Sequence, residues 1–238
     1  MSGYRARDWA VQPPALTPAY KTTRLRAPSA PLVRMPEGCV PESGPVFGHG
    51  DLGPLDHDLL QNYARDGVPI GERILLQGRV MDQDARPVPG TLIEIWQANA
   101  GGRYRHRNDD YLAPLDPNFG GCGRTLSDDG GQYRFHTLRP GPYPWPNSEN
   151  SWRPAHIHVS VMGSGLPQRL ITQLYFEGDP LVALCPIVQA IPDKGAIDRL
   201  VARLDLEAAT PFDCLAYRFD IVLRGRRATV FENKPEGM

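Results

Sequence analysis

Residues Trp152–Val161 read "WRPAHIHVSV", apolar at Ile157, Val159 and Val161 and polar at His156, His158 and Ser160. Alternation of this kind is the period of a strand whose two faces meet different surroundings. The same period recurs on both sides of it. "ILLQGRVMD" from Ile74 runs through the turn "QDARPVPG" into "TLIEIWQA", and "QYRFHTLRPG" and "LITQLYFEG" follow. In "AYRFDIVLRG", Tyr217, Phe219, Ile221 and Leu223 share one face while Arg218, Asp220 and Arg224 share the other. Short strands punctuated by glycine and proline predict an all-β protein, a β-sandwich with a few peripheral helices.

Two stretches carry a helical pattern instead. "DHDLLQNYARDG" from Asp56 has an acidic start and a glycine stop, and "KGAIDRLVARLDLEA" spaces Ile197, Leu200, Val201 and Leu204 three or four apart. Ahead of them, residues 1–55 hold "QPPALTP", "RAPSAPLVRMPEG" and "PESGPVFGHGDLGP" with no helix or strand period. The aromatic and basic "AYKTTRLR" within this stretch suits an arm that wraps over a core or a partner. A sandwich domain over 56–238 is expected to follow.

The 238 residues suffice for one large all-β domain with a sizeable core. Lys plus Arg number 26 against 27 Asp plus Glu, so no charge excess points to nucleic acid or an anionic membrane. Cys39, Cys122, Cys185 and Cys214 lie far apart, which suggests neither a zinc cluster nor a disulfide framework. No signal-type apolar start or membrane-length run is present, and a soluble cytoplasmic protein is expected.

On a strand, residues two apart project from one face about 6.6 Å apart, a span that two imidazoles can close onto a metal ion. His156 and His158 are so placed, yet the pair reads equally as two hydrogen-bonded strand histidines, and Ser160 as part of a polar surface. The acid expected just downstream in a two-histidine carboxylate site is missing, since Met162, Gly163 and Ser164 follow. Upstream, Tyr104 in "NAGGRYRHRND" and Tyr143 in "RPGPYPWPN" sit in glycine- or proline-rich loops that present side chains. Each alone reads as a packing tyrosine.

Together, "LQGRVMDQDARPVPGTLIEIWQANAGGRYRHRND", "RTLSDDGGQYRFHTLRPGPYPW", "WRPAHIHVSVMG" and "LITQLYFEGDP" resemble the intradiol ring-cleaving dioxygenases, in particular the beta chains of the protocatechuate-cleaving branch. The resemblance extends to "AYKTTRLR" and "CLAYRFDIVLRG" and covers nearly the whole chain. It implies one non-haem Fe(III) per chain, with Tyr104 and His156 as equatorial ligands and Tyr143 and His158 as axial ones. Two phenolates and a hydroxide would balance a hard trivalent ion in a poorly hydrated site. The implied reaction is cleavage of protocatechuate by dioxygen to 3-carboxy-cis,cis-muconate, in aerobic catabolism of aromatic compounds.

The resemblance also assigns surrounding roles. Arg153 matches an arginine that stabilises negative charge on the ring, and Gln173 a glutamine beside it; otherwise they read as a surface arginine and an exposed-face polar residue. Tyr20 and Arg26 match arm residues, Tyr20 facing the substrate carboxylate. Trp96, Trp145 and Ile187 match pocket-lining positions, although core packing explains such residues equally. Trp152 fits either. His49, His57, His106 and His136 read as structural or surface residues, and Cys122 as oxidation-sensitive where exposed. A related alpha chain, lacking the iron ligands, is the implied partner in a hetero-oligomer. Other readings are a catechol or hydroxyquinol dioxygenase, or a non-catalytic carrier of aromatic acids.

Overall fold

The computed structural model describes residues 11–27, 30, 49–163 and 169–230. The proline-rich stretch over 31–48 with Cys39, Ser164 and the Arg26 side chain lie outside that description. Eleven strands are present: β1 (Arg73–Met81), β2 (Leu92–Gln97), β3 (Cys122–Leu126), β4 (Gln132–Leu138), β5 (Tyr143–Pro144), β6 (Trp152–Arg153), β7 (His156–Met162), β8 (Leu170–Phe176), β9 (Val201–Leu204), β10 (Leu215–Arg218) and β11 (Ile221–Val222). The helices are short: α1 (Thr23–Arg26), α2 (Pro186–Gln189) and α3 (Lys194–Asp198).

All strands but β5 and β6 join one hydrogen-bonded path, β11-β1-β10-β9-β8-β7-β2-β3, with β4 paired to β1. The all-β expectation stands, and the two layers of the expected sandwich are continuous through β9. Burial follows the alternation: Ile74, Leu76 and Val80 of β1, Tyr133 and Phe135 of β4, and Ile157, Val159 and Val161 of β7 all enter one apolar core. Gly78 is required where β1 passes the chain between β10 and β11, because a Cβ there would lie 1.9 Å from the Phe219 carbonyl oxygen. A second, smaller cluster of Tyr175, Cys185, Val188, Ile191, Ala196 and Leu200 covers the outer face of the sheet beside β8. The β7 face opposite the core is therefore roofed over, and polar groups on it work away from bulk water.

The helix expected from Asp56 is a series of turns. Leu59, fully buried, donates its amide to the His136 carbonyl, and the His136 amide donates to the His57 carbonyl, so β4 takes the backbone groups a helix would use. The helix expected over Lys194–Ala208 stops at Asp198. Val201–Leu204 instead fills the slot between β8 and β10, parallel to the first and antiparallel to the second. Sheet pairing there outweighs a local helical period of weak intrinsic stability.

Within the arm, residues 11–27 lie against the body of the protein. Asn147 accepts from the Lys21 amide at 2.9 Å and donates to the Ala19 carbonyl at 2.9 Å, while Tyr20 meets Trp145 edge-on at 5.4 Å. Val11 packs against the second cluster.

Candidate metal and substrate site

The register across β2, β7 and β8 sets the floor of the site. Trp96 pairs with His158 and His158 with Gln173, while His156 pairs with Tyr175. Cross-strand partners share a face, so these five side chains form one patch on the roofed side of β7. Trp96 stacks on His158 with centroids 4.8 Å apart and planes 6° apart, which fixes the imidazole plane without using its nitrogens.

Two loops bring the tyrosines over this floor. Asn99 organises the first, its Oδ1 accepting from the Gly101 and Arg103 amides at 2.9 and 3.0 Å. Asp109 Oδ2 then accepts from the Tyr104 amide at 2.7 Å. The second loop leaves β4 and enters the two-residue ribbon β5–β6, which pairs Tyr143 with Arg153. Gly102 lets the loops touch: its φ is +82°, and a Cβ there would stand 2.3 Å from the Pro142 carbonyl oxygen and 3.2 Å from Tyr143 Cβ. Gly102→Val is therefore expected to push Tyr104 away from Tyr143, lowering the melting temperature by several degrees and weakening metal retention, as thermal melts and metal analysis would register.

The four ring-bearing side chains converge. Tyr104 Oη lies 3.3 Å and Tyr143 Oη 3.5 Å from His156 Nε2, and the His156 and His158 rings are 5.0 Å apart. His156 Nδ1 is 2.7 Å from the Pro154 carbonyl, an acceptor, so Nδ1 carries the proton and Nε2 presents its lone pair to the two hydroxyls. Burial, then the nearby Arg153 cation, holds His156 well below the ordinary imidazole range and His158 down to about 3. Both are neutral donors at physiological pH. Burial raises Tyr104 well above the usual phenol value, helped by Tyr143, and raises Tyr143 as well. These phenols stay protonated unless a cation replaces their protons, so metal binding here releases protons.

Arg153 is 5% exposed. Its Nη2 donates to Gln173 Oε1, which also accepts from Tyr175 Oη at 3.0 Å. The guanidinium lies over the Trp145 ring at 5.5 Å. Arg153 Nε and Trp145 Nε1 are both buried with no hydrogen-bond partner among the described residues. Two orphaned donors beside four convergent metal-type donors are what a site built for an anionic ligand leaves when the protein is considered alone.

Cavities open on two sides of the four rings, with Trp96 common to both. A narrow one of about 190 Å³ is lined by Pro13, Tyr20, His158, Gln173, Tyr175 and Ile187. A wider one of about 450 Å³ is lined by Tyr104, His106, Asp109, Cys122, Tyr143 and Trp145. Trp96, Trp145, Ile187 and Tyr20 thus all border the site. Trp152 lies outward with its Nε1 on Asn150, and His57 and His136 serve a backbone bridge. Tyr175, Asp109, Asn99 and Asn147 belong to the assembly but were not singled out in the sequence. Only Tyr175 had a usable signal, two residues after Gln173 on one strand face.

Two tyrosines and two histidines meet over an all-β frame, and comparison with known proteins places the chain among dioxygenases. A family described as "Dioxygenase" matches residues 42–225, and one described as "Protocatechuate 3,4-dioxygenase beta subunit N terminal" matches residues 5–37. The protocatechuate 3,4-dioxygenase beta chain of Burkholderia cepacia is 50% identical over 226 residues, spanning 95% of this chain and 96% of that one. The protocatechuate 3,4-dioxygenase alpha chain of Pseudomonas putida is 34% identical over 179 residues, 74% of this chain and 83% of that one. Among solved structures, 3-chlorocatechol 1,2-dioxygenase from Rhodococcus opacus 1CP superposes with a TM-score of 0.52 at 26% identity, covering 75% of this chain and 70% of that one. The chain belongs to the intradiol dioxygenases, a family of non-haem iron enzymes, within its protocatechuate 3,4-dioxygenase beta-chain branch. No helix among the described residues is long and apolar enough to cross a membrane.

Proposed function

We propose that this chain cleaves protocatechuate with dioxygen to 3-carboxy-cis,cis-muconate, at one iron(III) held by Tyr104, Tyr143, His156 and His158, in a complex with a related alpha chain. The convergence of both tyrosine hydroxyls on the unprotonated Nε2 of His156 carries this reading. The donor set fits the ion: hard phenolate oxygens and neutral imidazoles suit a hard trivalent cation, and phenolate charge disfavours its reduction. Bound there, iron(III) supplies Lewis acidity and a template for two adjacent phenolic oxygens.

The chain's own groups do the rest. Tyr143 sits at the junction of both loops and in the wider cavity, so its Oη is placed to accept a substrate phenol proton as the ring enters. Arg153 offers an unpaired buried Nε to negative charge on the ring. Tyr20 borders the narrow cavity beside its proline and isoleucine lining, which places the phenol ring along the path of a ring carboxylate. Alpha and beta chains both occur among the relatives, and the four donors present in this chain support the role of metal-bearing beta chain. Cytoplasmic residence accords with the widely spaced cysteines.

The visible spectrum of the iron-loaded protein, co-produced with an alpha chain, tests this. A broad phenolate-to-iron absorption that shifts when protocatechuate is added without oxygen is the expected result. A colourless iron-loaded protein would remove the two-tyrosine site, and faster turnover of plain catechol than of protocatechuate would remove the substrate assignment.

A further inference from the structure

Tyr175 has no part in the site as described by its four rings, yet the ladder sets it beside His156 and its hydroxyl ends on Gln173. Arg153 can only donate, so the Gln173 atom that meets it is the carbonyl oxygen, and the Tyr175 hydroxyl, 3.0 Å from that oxygen, is the second donor. Without that donor only Arg153 fixes which way the Gln173 amide faces, and the carbonyl oxygen loses one of the two donors that hold it in place. The ring of Tyr175 is held by Cys185, Val188 and their neighbours in the second apolar cluster, and it is only 1% exposed. The hydroxyl is thus anchored by packing that lies outside the reacting centre. Trp145 limits the guanidinium from another side.

We propose that Tyr175 is a positioning residue: by fixing the carbonyl oxygen of Gln173 it holds the Arg153 guanidinium with its unpaired Nε–H directed at the bound aromatic ring. It touches neither metal nor substrate oxygen and acts through two intervening side chains. The proposal rests on the reading of Arg153 given under the proposed function. Aim matters more than proximity here, because a donor contributes to a transition state only when it points where charge develops.

Tyr175→Phe in the iron-loaded complex with the alpha chain tests it, since phenylalanine keeps the packed ring and deletes only the donor. Expected are a roughly tenfold fall in kcat, a KM and an anaerobic protocatechuate Kd within about twofold of the parent, and an unchanged resting spectrum. In a Gln173→Leu background the same substitution is expected to have no further effect on kcat, because the relay is already cut. A kcat within twofold of the parent overturns the proposal, as does the same fractional loss in both backgrounds, which a merely structural tyrosine would give. Arg153→Met separates the two readings. If it leaves kcat intact, the Arg153 assignment fails and this proposal with it; if it lowers kcat while Tyr175→Phe does not, only the positioning role falls.

Discussion

Replacing His158 with alanine is expected to give a folded chain that retains less than a tenth of the parent iron and no measurable ring-cleaving activity. His158 stands in the middle of β7, which is paired on both sides, by Trp96 of β2 and Gln173 of β8. Neither ladder uses its side chain, so strand and sheet survive its truncation. The imidazole stacks on Trp96 and borders a cavity of about 190 Å³, so alanine extends an existing space rather than opening one in the close-packed core. What is lost is one of four convergent donors. Changes to groups that merely support metal ligands already cost about 10–100-fold in affinity, and removing a donor itself exceeds that. Circular dichroism, a thermal melt and metal analysis on the same preparation separate the alternatives. Parent-level iron in a folded variant would take His158 out of the proposed ligand set. Lost iron accompanied by lost fold would mean that the residue is structural.

The strands were legible because burial obeys the period of two. Each of Tyr217, Phe219, Ile221 and Leu223 is at most 7% exposed, as their shared face required. β3 escaped notice because "CGRTL" has no apolar alternation and is partly exposed, its place being fixed by its ladder with β2 and by the Asp56 carbonyl, which accepts from the Arg124 amide. The turns over 54–64 and the strand at Val201–Leu204 were illegible for one reason: in both, distant backbone partners outbid a plausible local helix. The four site rings stood out because histidines two apart on a strand and tyrosines in glycine- and proline-rich loops are unusual settings for packing residues. Ser160 misled, since on the same face it looked like polar surface. It is fully buried beneath Arg169, which donates to its Oγ at 2.6 Å and to Glu94 at 2.9 Å. Asn147, which pins the arm, carried no signal, because its partners Ala19 and Lys21 lie more than 120 positions away.

Arg153→Met is expected to lower kcat by about 100–1000-fold, the range seen when one preorganised donor to developing charge is removed, while leaving the melting temperature unchanged or slightly raised. The combination follows from where the charge sits. Arg153 is 5% exposed, no carboxylate pairs with it among the described residues, and its Nε has no partner. Burial strips this charge of its hydration, and the guanidinium keeps its proton nonetheless. A buried cation with one neutral hydrogen-bond acceptor is a poor source of stability, and methionine of similar length fills the same space without the desolvation cost. Gln173 Oε1 keeps the Tyr175 hydroxyl, so no acceptor is stranded. Lysine is not expected to restore the rate, because a point charge on a flexible stem lacks a second nitrogen that can face the ring while the first holds Gln173. A parent-like kcat with a lowered melting temperature would mark Arg153 as a structural residue. The expected opposite, slower chemistry on an equally stable frame, would mean that the fold tolerates a costly buried charge because the bound ring uses it.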